Sequence, residues 1–201
     1  MDNFGDAFIL CGGKSARMGF DKSTMKIGDR FVVELIAEKL STLFDNIRLS
    51  AREIEKYAKF GMPIIEDMHN DGIGPAAAIH AALSTAKTRY VFICACDMPF
   101  INPWYIEFMK SIIEEGGYKT DALIPINDGH MENLYAFYSI SALKTFEDEI
   151  SKGNYKVHEI NRKIDAIYLQ EEYSRNFDSD LKMFANLNYK ADLERFGIDV
   201  G

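Results

Sequence analysis

The sequence predicts an α/β fold, a single Rossmann-like three-layer domain with a mainly parallel sheet. Three observations carry that prediction. Short apolar runs alternate with helix-period stretches as far as Ile126, the pattern of strands joined by crossover helices. The run Tyr90-Val91-Phe92-Ile93-Cys94-Ala95 is apolar almost throughout, as a strand covered on both faces requires. The first apolar run also passes directly into a Gly-rich loop, at the end of a sheet strand where open α/β sheets take ligands.

Each element follows in order. Asp6 to Cys11 reads as a short buried strand. Phe31 to Leu40 spaces Val33, Leu35, Ile36 and Leu40 for one helix face. Ile47 to Ser50 and Pro63 to Ile65 are the next strands. Gly74 to Ala86 is Ala-rich and helical, with Pro75 in the first turn, where its missing N–H costs little. After the strand at Tyr90 to Ala95, Asn102 is placed to cap a helix that opens at Pro103 and runs through Trp104, Phe108 and Ile112. Ala122 to Ile126 is a strand, Leu134 to Tyr138 another, and Ser141 to Ile150 a helix. Lys163 to Leu169 reads as a strand near the sheet edge, and Asn186 to Phe196 as a turn with a short terminal helix. The aromatic residues, Trp104 among them, read as core. There is no internal repeat and no dividing linker, so residues 1–201 are expected to form one domain.

Composition narrows the function. The 201 residues carry a formal charge of -8, which argues against a nucleic-acid partner, since that needs a basic surface. Apolar runs are too short to span a bilayer. The acidic start Met1-Asp2-Asn3-Phe4-Gly5-Asp6 lacks the basic region of a secretory signal, so a cytoplasmic location is expected. Cys11, Cys94 and Cys96 lie in apolar runs and read as buried free thiols. His69, His80, His130 and His158 are scattered and match no motif.

The chemistry concentrates in Leu10-Cys11-Gly12-Gly13-Lys14-Ser15-Ala16-Arg17-Met18-Gly19-Phe20-Asp21-Lys22. Paired glycines after a buried strand let the backbone approach a ligand, and successive N–H groups there can cradle an anion. Ser15, Arg17 and Lys22 add a hydroxyl and two cations, a set suited to a polyphosphate. The loop matches neither the P-loop spacing nor the dinucleotide fingerprint. Asp97 closes the apolar run at Cys96-Asp97-Met98-Pro99, where a carboxylate can meet a hard divalent cation. Its alternative role is a helix cap ahead of Pro99.

The Gly-rich segment resembles the signature of nucleotidyltransferases that use a nucleoside triphosphate, and is most similar to that of the molybdenum cofactor guanylyltransferases. Gly12-Gly13 and Asp21-Lys22 match that family's Gly-Gly and Asp-Lys. Three further segments extend the resemblance over most of the chain: Ile65-Glu66-Asp67 before Gly72-Ile73-Gly74-Pro75, then Cys96-Asp97-Met98-Pro99, then Asn186-Leu187-Asn188. The chain departs from the pattern at Ala76 and Ala78, at Arg52, and at Met131-Glu132-Asn133, where a Pro is common.

The resemblance implies transfer of GMP from GTP to molybdenum-bearing molybdopterin, with Mg²⁺ as cofactor. GTP and molybdopterin are the expected partners, with molybdenum-insertion proteins and molybdoenzyme chaperones as further ones. It implies nucleotide contacts from Leu10, Cys11, Gly12, Gly13, Lys22, Asp67 and Asp97. Arg17 and Lys22 meet the phosphates, and Asp97 holds the metal; these three are the expected catalytic residues. Gly12, where cytidylyl relatives carry a side chain, favours guanine. Asn188 is a second candidate on the metal side, and Lys156 a candidate contact for the anionic acceptor. Open alternatives are a cytidylyl- or sugar-phosphate nucleotidyltransferase of the same fold, and a non-catalytic nucleotide-binding adaptor.

Overall fold

The structure, a computed structural model, describes residues 2–11, 24–66 and 74–187. The chain enters through β1 (Phe4–Leu10), then a small hairpin of β2 (Lys26–Ile27) and β3 (Arg30–Phe31), then α1 (Val32–Leu40) and β4 (Asn46–Ala51). It continues through α2 (Ile54–Tyr57), which runs into a 3₁₀ turn at Ala58–Phe60, then β5 (Ile64–Glu66), α3 (Pro75–Ser84), β6 (Tyr90–Ala95) and α4 (Pro103–Glu115). The remainder is β7 (Ala122–Asn127), β8 (His130–Met131), β9 (Tyr135–Ser139), α5 (Leu143–Ser151), α6 (Val157–Asn161), β10 (Ala166–Leu169) and α7 (Glu171–Arg175).

The main sheet runs β10-β7-β9-β6-β1-β4-β5, with β8 paired to β7. β5, β4, β1 and β6 are mutually parallel. β9 lies antiparallel between β6 and β7, and β10 is parallel to β7 at the edge. The sheet is therefore mainly parallel but mixed. Alternation along the strands builds two cores. Ala7, Ile9, Phe92, Cys94 and Leu123 point to the face covered by α1 and α4 through Ile36, Leu40, Tyr105 and Met109. Phe8, Leu10, Val91, Ile93 and Ile124 point to the opposite face, covered by α3, α5 and α6 through Ile79, Phe146 and Ile160. This is the three-layer arrangement that two-sided burial of a parallel sheet demands.

Local chemistry sets the helix ends. Asn102 Oδ1 accepts the Tyr105 amide at 3.2 Å, and Pro103 opens α4 as expected. Gly74 has φ 75°, a left-handed conformation that suits glycine, directly before Pro75. Ala76 and Ala78 are buried against the sheet, so the departures there make a small-residue packing face.

The differences from the sequence reading lie in short elements. The hairpin β2–β3, α2, α6 and α7 were not foreseen, and the last strand begins at Ala166 rather than Lys163. Trp104 was expected in the core and is 78% exposed on the first turn of α4. Of the terminal turn and helix expected from Asn186, all beyond Leu187 lies outside the described residues.

Candidate active site

The chain winds from β1 through β4 to β5, then crosses back to β6 on the far side of β1. The strand order reverses between β1 and β6. A crevice outside the carboxyl ends of the strands forms at such a reversal, because the flanking connections leave in opposite directions. Leu10 and Ala95 are register partners at the ends of these two strands.

Hydrogen bonds tie these strand ends together. The Cys96 amide donates to the Leu10 carbonyl at 3.1 Å, and the Cys11 amide to the Ser50 carbonyl at 2.7 Å. The Tyr57 hydroxyl donates to the Cys11 carbonyl at 2.9 Å. Leu10, Cys11 and Asp97 are thus brought to one edge. Gly12, Gly13, Arg17, Lys22 and Asp67, with Asn188 and His69, lie outside the described residues.

Asp97 is 4% exposed, more enclosed than a carboxylate at an open strand end. It does not cap α4, since Asn102 holds that position. Two ties hold the turn that carries it. The Leu187 amide donates to the Asp97 carbonyl at 2.8 Å, which docks the Asn186-Leu187 segment on this turn. From α1, Lys39 Nζ donates to the carbonyls of Pro99 and Ile101, each at 3.3 Å. Burial pulls the Lys39 ammonium below the ordinary lysine value. Lys39 was not singled out from sequence, because a lysine in the last turn of an amphipathic helix reads as a solvated charge. Cys11, Cys94 and Cys96 are buried. Burial, with the neighbouring Cys96 and Asp97, pushes the Cys94 thiol far up, so Cys94 stays an inert thiol.

A model described as the MobA-like NTP transferase domain matches residues 7–166. The chain belongs to the MobA-like NTP transferase family. Family members are nucleotidyltransferases, and such enzymes typically use a divalent metal. A "Probable molybdenum cofactor guanylyltransferase" of Peptoclostridium acidaminophilum is 35% identical over 196 residues, spanning 96% of this chain and 88% of that protein. The "Molybdenum cofactor guanylyltransferase" of Syntrophotalea carbinolica is 35% identical over 193 residues, 96% of this chain and 90% of its own. Among solved structures, molybdopterin-guanine dinucleotide biosynthesis protein A from Archaeoglobus fulgidus superposes with a TM-score of 0.80 at 30% identity, covering 94% of this chain and 95% of that one.

In this MobA-like chain one further feature lies at the carboxyl edge. The Met131-Glu132-Asn133 segment enters β9, whose start pairs with the end of β6. There Asn127 Nδ2 donates to Glu132 Oε1 at 2.8 Å, and Asn161 Nδ2 to Asn133 Oδ1 at 2.8 Å. Burial raises the Glu132 carboxyl above its ordinary value, offset in part by the Asn127 bond. Elsewhere, an open surface depression lies at the joint of α5 and α6, where Lys152 and Lys163 pair with Glu149 and Lys156 with Glu159. β9 ends at the amino edge, where Ser139 faces Tyr90. α5 follows from there. His80 and Glu147, 3.6 Å apart, join α3 to α5. His130 and His158 are exposed. No helix among the described residues is long and apolar enough to cross a membrane.

Proposed function

We propose that this chain transfers GMP from GTP to molybdopterin carrying molybdenum, forming molybdopterin guanine dinucleotide and pyrophosphate. A terminal phosphate oxygen of the acceptor attacks the α-phosphorus of GTP. The new P–O bond forms as the bond from that phosphorus to the α,β-bridging oxygen breaks, and the electron pair leaves on pyrophosphate. The attacking oxygen is already ionised, so the protein's work is alignment and charge neutralisation rather than proton removal. The observation that carries the reading is the Cys96–Leu10 hydrogen bond, which joins the Asp97 turn to the root of the Gly-rich motif at the point where the strand order reverses.

In this proposal residues 1–201 act as one nucleotidyltransferase domain in the cytoplasm. Leu10, Cys11, Gly12, Gly13 and Asp67 meet the guanine nucleotide, while Arg17 and Lys22 neutralise its phosphates. Mg²⁺ is the proposed metal and Asp97 its protein ligand. Among the described residues no group of three or more His, Cys, Asp or Glu is placed to cage a metal. A lone carboxylate suits Mg²⁺, which keeps several waters and takes substrate phosphate oxygens as its other ligands. When bound, the ion supplies charge stabilisation to the triphosphate. Lys156 is the proposed contact for the anionic acceptor, which it would take in exchange for its ion pair with Glu159.

Incubation with molybdopterin, Mg²⁺ and each of the four nucleoside triphosphates tests the reading. A guanine dinucleotide with release of pyrophosphate is expected. A cytidine dinucleotide would move the chain to the cytidylyl alternative, and GTP binding without turnover would make it an adaptor.

A further inference from the structure

We infer that Tyr57 is a positioning residue for nucleotidyl transfer, acting through the Cys11 carbonyl at the root of the Gly-rich loop; this rests on the proposed role of that loop. Within β1, carbonyls are held by neighbouring strands. The Leu10 carbonyl still has such a partner in the Cys96 amide. At Cys11 the chain leaves the sheet, and the Tyr57 side chain supplies a hydrogen bond at 2.9 Å from outside the ladder. A peptide group is planar, so fixing that carbonyl fixes the plane of the peptide that carries the chain out of β1.

The same short segment also packs on the hairpin that follows the loop in sequence. Tyr57 packs on Phe60 with ring centroids 6.2 Å apart. Phe60 packs edge-on against Phe31 at 5.3 Å, and Lys59 Nζ lies 4.4 Å from the Phe31 ring centroid. Phe31 closes the β2–β3 hairpin and leads into α1, where the Val32 amide donates to the Met25 carbonyl at 2.9 Å. The α2 segment therefore grips the chain both where it leaves for the loop, at Cys11, and where it has returned, at Met25 to Phe31. Tyr57 is 5% exposed, so its hydroxyl serves the protein interior and not the substrate directly.

The test is Tyr57→Phe in the full-length chain, which keeps the ring and removes the hydroxyl. GMP transfer from GTP is measured in single turnover with Mg²⁺ and molybdopterin, well below the melting temperature of the variant. A lost hydrogen bond of this kind corresponds to about tenfold, so kcat/KM for GTP is expected to fall about tenfold. Lys22→Ala and the double variant complete a cycle. Positioning through the loop predicts that the two losses do not multiply, because both act on one unit. A merely structural tyrosine would lower the melting temperature and leave kcat/KM unchanged, which overturns the inference. Should Lys22→Ala itself be silent, the loop reading falls and the inference with it; a silent Tyr57→Phe beside a defective Lys22→Ala overturns the inference alone. If Tyr57→Phe fails to fold, 3-fluorotyrosine at position 57 keeps the shape and changes the hydroxyl's donor strength. An unchanged kcat/KM in that protein counts against the inference, and a changed one supports it.

Discussion

Arg48 donates from Nη2 to Asp6 Oδ1 at 2.8 Å, joining β4 to β1 at the amino edge of the sheet, opposite Asp97. Both residues are buried. Asp6 Oδ2 accepts the amides of Lys87 and Thr88 at 2.5 and 2.9 Å, while Arg48 Nη1 donates to the Thr85 carbonyl at 2.8 Å. The pair locks the entry to β6 and takes no part in the crevice. Asp6→Ala leaves a buried guanidinium and two amides without their acceptor, which costs about 3–5 kcal/mol. Urea denaturation is expected to show that loss. The protein that remains folded is expected to transfer GMP at the normal rate.

Lys39→Met retains the aliphatic stem but removes the donor that holds the Pro99 and Ile101 carbonyls. Hydrogen bonds from a charged group contribute about 1.5–3 kcal/mol. Part of that restraint acts on the turn carrying Asp97, so kcat is expected to fall about tenfold while the KM for GTP changes little. An unaltered kcat at saturating GTP would show that this tie does not position Asp97.

The parts that were legible from sequence are those that local residue patterns encode. Burial on both faces writes β6 as the apolar run Tyr90 to Ala95, and capping chemistry marks α4 at Asn102 and Pro103. The parts that were not legible are short or depend on long-range pairing. Lys26–Ile27 and Arg30–Phe31 are too brief to show a period, although Gly28 with φ 59° forms their turn. The antiparallel sense of β9 comes from its position between β6 and β7, which no local pattern encodes. At the site, Asp97 was legible because a carboxylate ends an apolar strand. Tyr57 and Lys39 were not, since each acts on a backbone carbonyl far away in sequence.

Glu149 gives a pH-dependent prediction. Its carboxylate accepts Lys163 Nζ at 2.5 Å, Asn154 Nδ2 at 2.9 Å and Lys152 Nζ at 3.1 Å. These donors, Lys163 foremost, hold the carboxyl down to about 2 from an ordinary 4.5. A depressed folded value means that the stabilisation is complete above the unfolded value and fades as the pH falls through the folded one. Glu149→Gln is therefore expected to lower the urea midpoint by a constant amount near neutral pH. Below pH 4.5 the gap to wild type should narrow, closing toward pH 2. A gap independent of pH would show that packing, not charge, accounts for the contribution of Glu149.

The central claim is that Asp97, enclosed beside the root of the Gly-rich motif, serves the reaction rather than the fold. Asp97→Asn preserves shape and removes the charge proposed to hold Mg²⁺ against the triphosphate. Metal stabilisation of this kind contributes several kcal/mol in the transition state, and each 1.36 kcal/mol is tenfold. Single-turnover GMP transfer from GTP at saturating Mg²⁺, measured beside a thermal melt of the same protein, tests the claim most directly. The expected result is a fall in transfer of about 10²-fold or more in a protein that still melts cooperatively near the wild-type temperature. Near-normal transfer, with or without a lowered melting temperature, would contradict the metal assignment and the mechanism built on it.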